Sequence, residues 1–301
     1  LISTVSAIFR GMGEMQFPAA VMIFNALIQI PLSGCLILGW GGLPALGLSG
    51  AAISAVVSAA VLSVPLFFKL VRSNFPIHLR WSAMTFSKSD FNDILQVALP
   101  GALSPLLTVA TVLVLTAFVA SFGEAALAGY GIGSRVEFLI IPLVFGLGAA
   151  MTSTVGVSVG AGDLGRAERL GRVGGFSAGL IAGVVGIVLA LFPDAWIGAF
   201  TDLPAVHASA KSYIQIVGPF FFFHGLGLSL YFASQGAGAM LWPVWATVLR
   251  VVVAALGAYA LAFTFGFGLA GIYAAAAAAM LTYAVVIAAA ISAGAWRKGD
   301  N

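Results

Sequence analysis

The stretch "FRGMGEMQFP" occupies Phe9–Pro18, and "SQGAGAMLWP" occupies Ser234–Pro243. At one constant offset of 225 positions (236 − 11), Gly11, Gly13, Met15 and Pro18 meet Gly236, Gly238, Met240 and Pro243. The segments that follow keep the echo, since "LGLSGAA" at 46–52 resembles "FGLAGIY" at 267–273. Taken alone, Gly-x-Gly ahead of a proline is a common way to end one helix and begin another. With only 7 Met and 12 Pro in the chain, their coincidence at both places, together with the second echo, reads as internal duplication.

The composition says what is duplicated. Of 301 residues, 61% are apolar and 8% charged, against roughly 25% charged in an ordinary soluble domain. That excludes a water-soluble globule. Apolar runs longer than the ~20 residues needed to cross a bilayer's hydrocarbon core recur along the chain. The sequence therefore reads as an all-α integral membrane protein with spans near 17–39, 44–71, 94–122, 126–159, 173–193, 209–234, 240–265 and 267–293, plus a stub at 1–9. Eight transmembrane helices are complete and one is partial. The span from Ala126 is long for a simple crossing and holds Pro142, so a kink or a projection beyond the membrane is expected. The first apolar segment lacks a basic leader and a cleavage pattern, so no signal peptide is expected. A single cysteine, Cys35, leaves no internal disulfide to form.

Charge placement tests the count, because each crossing flips the side of the next loop and Lys and Arg favour the cytoplasm. Arg10, Lys69, Arg72, Arg80, Lys88, Arg166, Arg169, Arg172, Arg297 and Lys298 fall on one side, while Glu124, Asp194, Asp202 and only Lys211 fall on the other. A miscounted helix would scramble that partition. The C-terminus is expected to be cytoplasmic.

An offset containing six crossings returns the second copy to the same side of the membrane, so the copies are parallel repeats related by an axis along the membrane normal. Two lobes of six helices follow, with 1–72 the end of the N-terminal lobe, 73–93 a cytoplasmic inter-lobe linker and 94–301 the C-terminal lobe. The later lobe starts near Leu95, 141 residues before Gly236 (236 − 95), while only ten precede Gly11. The expectation is that the first three to four helices, some 130 residues, are missing. Two like bundles side by side suit alternating access to a site between them, hence transport; duplication that serves only to build a membrane scaffold is the other reading.

At this point the residues resemble the multidrug and toxic compound extrusion (MATE) family of secondary efflux antiporters. The resemblance rests on "FRGMGEMQFP" with "GLPALGLSGAA" at 42–52, on "ALAGYGIGSRVEFLIIPLVFGLGAAMTSTVGVSVGAGDLGRAER" at 126–169, and on "YFASQGAGAMLWP" at 231–243. It implies twelve helices in two lobes and export of small amphipathic or cationic compounds in exchange for H+ or Na+, from a bacterial inner membrane and as a monomer. The family's ion-binding carboxylates are poorly matched. Gln29 stands where an Asn is usual, Ser33 where an Asp is usual, and Thr108 and His224 fall where some members carry acidic residues.

Ionisable groups inside apolar spans cost free energy and mark pathways or pairs. Arg135, Glu137, His224 and Arg250 are such groups. Arg135 and Glu137 are two apart on a helix, so their side chains diverge. Glu137, His224 and Arg135 are the ion-coupling candidates; the alternatives are a snorkelling Arg135–Glu137 region near the outer interface and a hydrogen-bonded structural His224. Arg250 reads first as structural. Asn25, Gln29 and Ser33, at i, i+4 and i+8, share one helix face and either line a cavity or bond neighbouring helices. Thr108, Tyr130, Phe138 and Tyr231 complete the substrate-cavity candidates, the aromatic rings offering cation-π surfaces to cationic amphiphiles. Trp196, Trp242, Trp245 and Trp296, close to span ends, read as interface anchors.

The expected function is ion-coupled multidrug efflux, with no cofactor beyond the coupling ion and no nucleic-acid partner. A lipid-linked precursor flippase of the same superfamily is a second reading, disfavoured because the spans offer only Arg135 and Arg250 to a pyrophosphate; an inactive truncated form is a third. An enzyme is not expected, since His78, His207 and His224 lack metal-ligand spacing and paired acids or Ser-Lys clusters are missing.

Overall fold

The computed structural model describes residues 2–40, 44–72 and 87–297. Most of the expected linker, 73–86, lies outside the described residues, as do His78, Arg80 and Lys298. The chain forms helices α1 (Ile2–Gly11), α2 (Gln16–Leu38), α3 (Leu48–Arg72), α4 (Lys88–Ala120), α5 (Glu124–Gly160), α6 (Leu164–Leu191), the short α7 (Pro193–Ile197), α8 (Pro204–Val217), α9 (Phe221–Gly236), α10 (Leu241–Tyr259) and α11 (Gly268–Ser292). A 3₁₀ turn at Gly218–Phe220 joins α8 to α9, and a π turn at Ala260–Thr264 extends α10. Among the described residues, eight helical stretches are long and apolar enough to cross a membrane, with α8 and α9 together forming one of them. The all-α, multi-pass architecture read from the sequence is borne out.

Several helices start earlier than the apolar runs within them. α4 begins at Lys88 instead of 94, α6 at Leu164 instead of 173, and α8 at Pro204 instead of 209. Hydropathy marks where lipid begins, whereas hydrogen bonding and caps mark where the helix begins. Asp163 caps α6, its carboxylate accepting from the Arg166 backbone N–H at 2.9 Å. Pro204 occupies the first turn of α8, where a missing N–H costs nothing. The spacing of "VGAGDLGRAER" is thus that of a helix end, a left-handed Gly162 (φ 75°) and a capped restart. α5 runs unbroken for 37 residues with Pro142 inside it.

The repeat is visible atom by atom. α1 ends at Gly11 and α9 at Gly236, α2 starts at Gln16 and α10 at Leu241, each pair 225 apart. Gly13 and Gly238 both turn the corner left-handed, at φ 83° and 70°, where a Cβ would be strained. The next corner matches as well. The Leu46 N–H donates to the Leu36 carbonyl (2.9 Å), as the Phe267 N–H does to the Leu261 carbonyl (3.0 Å). A Cβ on Gly50 would lie 2.5 Å from Leu36 O, and one on Gly271 2.9 Å from Leu261 O. Leu36 and Leu261 keep the 225 offset, whereas Gly50 and Gly271 are 221 apart, so the second copy of this loop is four residues shorter.

The chain divides into two compact units, Leu1–Ser87 and Lys88–Asn301. In the first, α1, α2 and α3 pack around Phe9, Val21, Leu62, Leu66 and Leu70. There Lys69 Nζ lies 3.9 Å from the centre of the Phe17 ring and 3.5 Å from Glu14. In the second unit, α4–α11 enclose two apolar cores. Within lipid the apolar effect gives little drive for helices to associate, so close approach through small residues does the work. A Cβ on Gly186 would stand 2.0 Å from Gly218 O, and one on Gly236 2.2 Å from Thr152 O; α6 meets the 3₁₀ turn before α9, and α9 meets α5, backbone to backbone at these points.

Candidate functional site: a carboxylate and tyrosine cluster in the second unit

α5 carries "GYGIGSRVE" at 129–137. Gly129 and Gly133, one turn apart, cut a groove in its face. Ser209 and Tyr213 of α8, also one turn apart, fill it: a Cβ on Gly129 would be 2.5 Å from Ser209 Cβ, and one on Gly133 2.4 Å from the Tyr213 ring. Seated there, the Tyr213 hydroxyl donates to the Glu137 carboxylate one turn further on. The Tyr213 ring meets Tyr130 and Tyr273 edge-on, with centroids 5.4 Å and 5.1 Å away. Tyr273 Oη and Ser209 Oγ share a hydrogen bond of 3.0 Å, and Ser209 Oγ also donates to the Ala126 carbonyl at 3.1 Å.

Glu137, Tyr130 and Tyr213 border a cavity of about 20 Å³ whose other walls are Thr111, Val112 and Leu115 of α4, Arg250 of α10, and Ala276, Ala279 and Met280 of α11. That volume suits one water molecule, which needs roughly 10–15 Å³ and two to four polar partners. Glu137 lies 13 residues into α5, ~20 Å along its axis at 1.5 Å per residue. Arg250, only 6% exposed, stands at the middle of α10. Its Nε has no hydrogen-bond partner, and its guanidinium sits 5.6 Å from the centre of the Tyr283 ring. On α9, His224 is 5% exposed with both ring nitrogens unpartnered. Such groups are uncommon, because a buried donor or acceptor left unpaired costs about 1–3 kcal/mol.

The structure thus brings Glu137 and Tyr130 together and adds Tyr213, Tyr273, Ser209 and Arg250, of which only Arg250 stood out in the sequence. Arg135 points elsewhere: it is exposed, with its guanidinium 5.1 Å from the centre of the Phe200 ring. Phe138 is 68% exposed and outside the cluster. His224 is within electrostatic reach of Arg250 without bordering the cavity. Tyr231 donates to the Gly101 carbonyl at 3.1 Å, next to a separate open recess of about 660 Å³ lined by Ile94, Val97, Ala98, Gly101, Ala102 and Gln235. Thr108 is half-buried and bonds back to the Ser104 carbonyl. In the first unit Asn25 donates to Gln29 at 3.2 Å, and Ser33 is half-buried two turns along.

The signal that finds Tyr213 is the pairing of two one-turn patterns, Gly129/Gly133 on one helix and Ser209/Tyr213 on another. Each is visible in the sequence, but their mutual contact is not.

At the end of the unit where α6 begins and α11 stops, a second polar arrangement corrects one expectation. Trp296 is not an exposed interface anchor but 4% exposed, its ring against Gly171 and its indole N–H on Ser234 Oγ at 3.3 Å. The turn after α11 folds it back onto the bundle. Arg297 completes the fastening with two bonds to Glu168, 2.7 Å and 3.0 Å, which hold its guanidinium above its ordinary value. Trp242 and Trp245 are exposed, 48% and 54%, whereas Trp196 is partly buried and donates to the Ile132 carbonyl at 3.1 Å.

The MatE family model matches residues 100–260. The chain is 29% identical over 264 residues to a probable multidrug resistance protein NorM of Thermotoga maritima, covering 85% of this chain and 55% of the relative. It is 24% identical over 245 residues to the probable multidrug resistance protein YoeA of Bacillus subtilis, covering 80% and 53%. The chain therefore spans about half the length of the curated relatives it matches. Among solved structures, an outward-facing multidrug resistance MATE family transporter superposes with a TM-score of 0.89 at 22% identity, over 99% of this chain and 66% of that one. A transporter of the same superfamily from Pyrococcus furiosus gives 0.89 at 22% identity, over 99% and 67%.

Proposed function

This chain belongs to the MatE family, and from that premise we propose that it forms part of a secondary exporter of small amphipathic or cationic compounds, driven by inward movement of H+ or Na+. The observation that carries the proposal is Glu137: a carboxylate deep along a membrane helix, bonded to Tyr213 and bordering a cavity with room for one water. A carboxylate in that setting can take up a proton or a small cation and give it back. Tyr130, Tyr213 and Thr111 line the same cavity, and Arg250 is at hand there as a countercharge.

The reading continues as alternating access. Ion binding at Glu137 changes the charge enclosed within the second unit, and the arrangement that tolerates the new charge is favoured. The energy available is adequate: one charge crossing ~100 mV provides ~2.3 kcal/mol, and ~1.4 kcal/mol sustains a tenfold gradient. In the same proposal the ends bearing Arg166, Arg169, Arg172 and Arg297 face the cytoplasm, which places the C-terminus there. The multidrug names borne by the Thermotoga and Bacillus relatives support the substrate class.

The test is ethidium efflux by the full-length protein in proteoliposomes under imposed proton or sodium gradients. Glu137→Gln is expected to bind ethidium yet lose gradient-driven efflux. Efflux by the wild type that persists after both gradients are collapsed overturns the antiport reading.

A further inference from the structure

Arg250 is a cation inside the second unit with 6% exposure and no hydrogen bond from Nε to any protein group. Unsupported buried charge is costly, and an Arg that served only to snorkel would reach a helix end. Arg250 instead stays at mid-helix, sharing a one-water cavity with Glu137 and lying within electrostatic reach of it. The groups facing Glu137 are few: Tyr130 on its own helix, Tyr213 from α8, Arg250 from α10, and from α4 and α11 only Thr111 and apolar side chains. Tyr273 reaches the cluster through its ring contact with Tyr213. Among the described residues, Arg250 is thus the one cation lining the cavity. Among the described residues, nothing clamps it in a bidentate pair of the kind Arg297 makes with Glu168.

We propose that Arg250 is a tethered competitor of the coupling ion: it neutralises Glu137 across the cavity when the ion is absent and is displaced from that role when the ion binds. The proposal rests on the antiport reading and deepens it. A proton or Na+ on Glu137 leaves Arg250 buried without countercharge, and that state is relieved if α10 moves or water enters. When substrate then favours ion loss, Arg250 is at hand to compensate the bare carboxylate. Its charge, and not its shape, is what the mechanism needs, so Arg250 is a positioning residue for Glu137.

The test follows ion release in detergent with the full-length protein, adding ethidium and detecting protons with an indicator dye or ²²Na by filtration. The wild type and Arg250→Lys are expected to release ion as ethidium binds. In Arg250→Met, ethidium affinity is expected to hold while the coupling factor, the ratio of ion affinities without and with ethidium, falls about tenfold, within the usual range of such couplings. Should Arg250→Met fail to fold, the double variant Arg250→Met with Glu137→Gln removes both charges and is expected to fold and bind ethidium; a double variant that also fails overturns the proposal. Wild-type release with Arg250→Met unchanged overturns this inference alone. Absence of release in the wild type removes the antiport reading and this one with it.

Discussion

At the scale of single residues, the cluster depends on space as much as on charge. Glu137 owes its partner to Gly133, since a methyl at that position would stand 2.4 Å from the Tyr213 ring. Gly133→Ala is therefore expected to push Tyr213 off its seat and cost about 1–3 kcal/mol, as overpacking does. Tyr213→Phe keeps the ring and removes only the donor to Glu137. It is expected to retain expression and ethidium binding while slowing gradient-driven efflux, which the same flux assay measures; equal rates for Tyr213→Phe and wild type would leave the hydroxyl without a role. Glu137 was legible in the sequence because a carboxylate inside an apolar run is rare. Tyr213 was not, because one Tyr on a helix carries no such signal and its importance comes from a glycine groove on another helix.

At the scale of elements, corners and fastenings decide the geometry. The two glycine corners, Gly13 and Gly238, were marked in the sequence by Met and Pro at matching places, and their left-handed φ values explain why glycine stands there. Helix starts were less legible. A charged first turn such as "LGRAER" in α6 looks like a loop to a hydropathy window, yet Asp163 caps it into a helix. Trp296 illustrates the same limit, since proximity to a span end could not distinguish a lipid-facing anchor from a ring folded back onto Gly171 and Ser234. With the ring buried, Trp296→Ala is expected to lower stability by about 3–5 kcal/mol, the usual range for deleting a buried aromatic. Thermal unfolding in detergent would show this as a drop in Tm. An unchanged Tm would mean that the turn after α11 contributes little.

At the scale of the whole molecule, the repeat and the charge partition together predict topology. In a Cys35→Ser background, single cysteines at positions 166 and 211 are expected to react with a membrane-impermeant maleimide from opposite sides, 211 in intact cells and 166 only after permeabilisation. Reaction of both from the same side would break the six-crossing argument. Membrane class, span count and the duplication were determined by the sequence itself, because composition, apolar run length and a recurrent Gly-Met-Pro corner are local properties that survive without knowledge of contacts. Tertiary structure alone decided which polar groups meet. Arg135 and Glu137, two positions apart, part company; Glu137 and Tyr213, 76 apart, bond; and Arg250 comes to share their cavity. The physical reason is that helix periodicity sets the direction of each side chain, while its partner is fixed by where small residues allow neighbouring helices to approach.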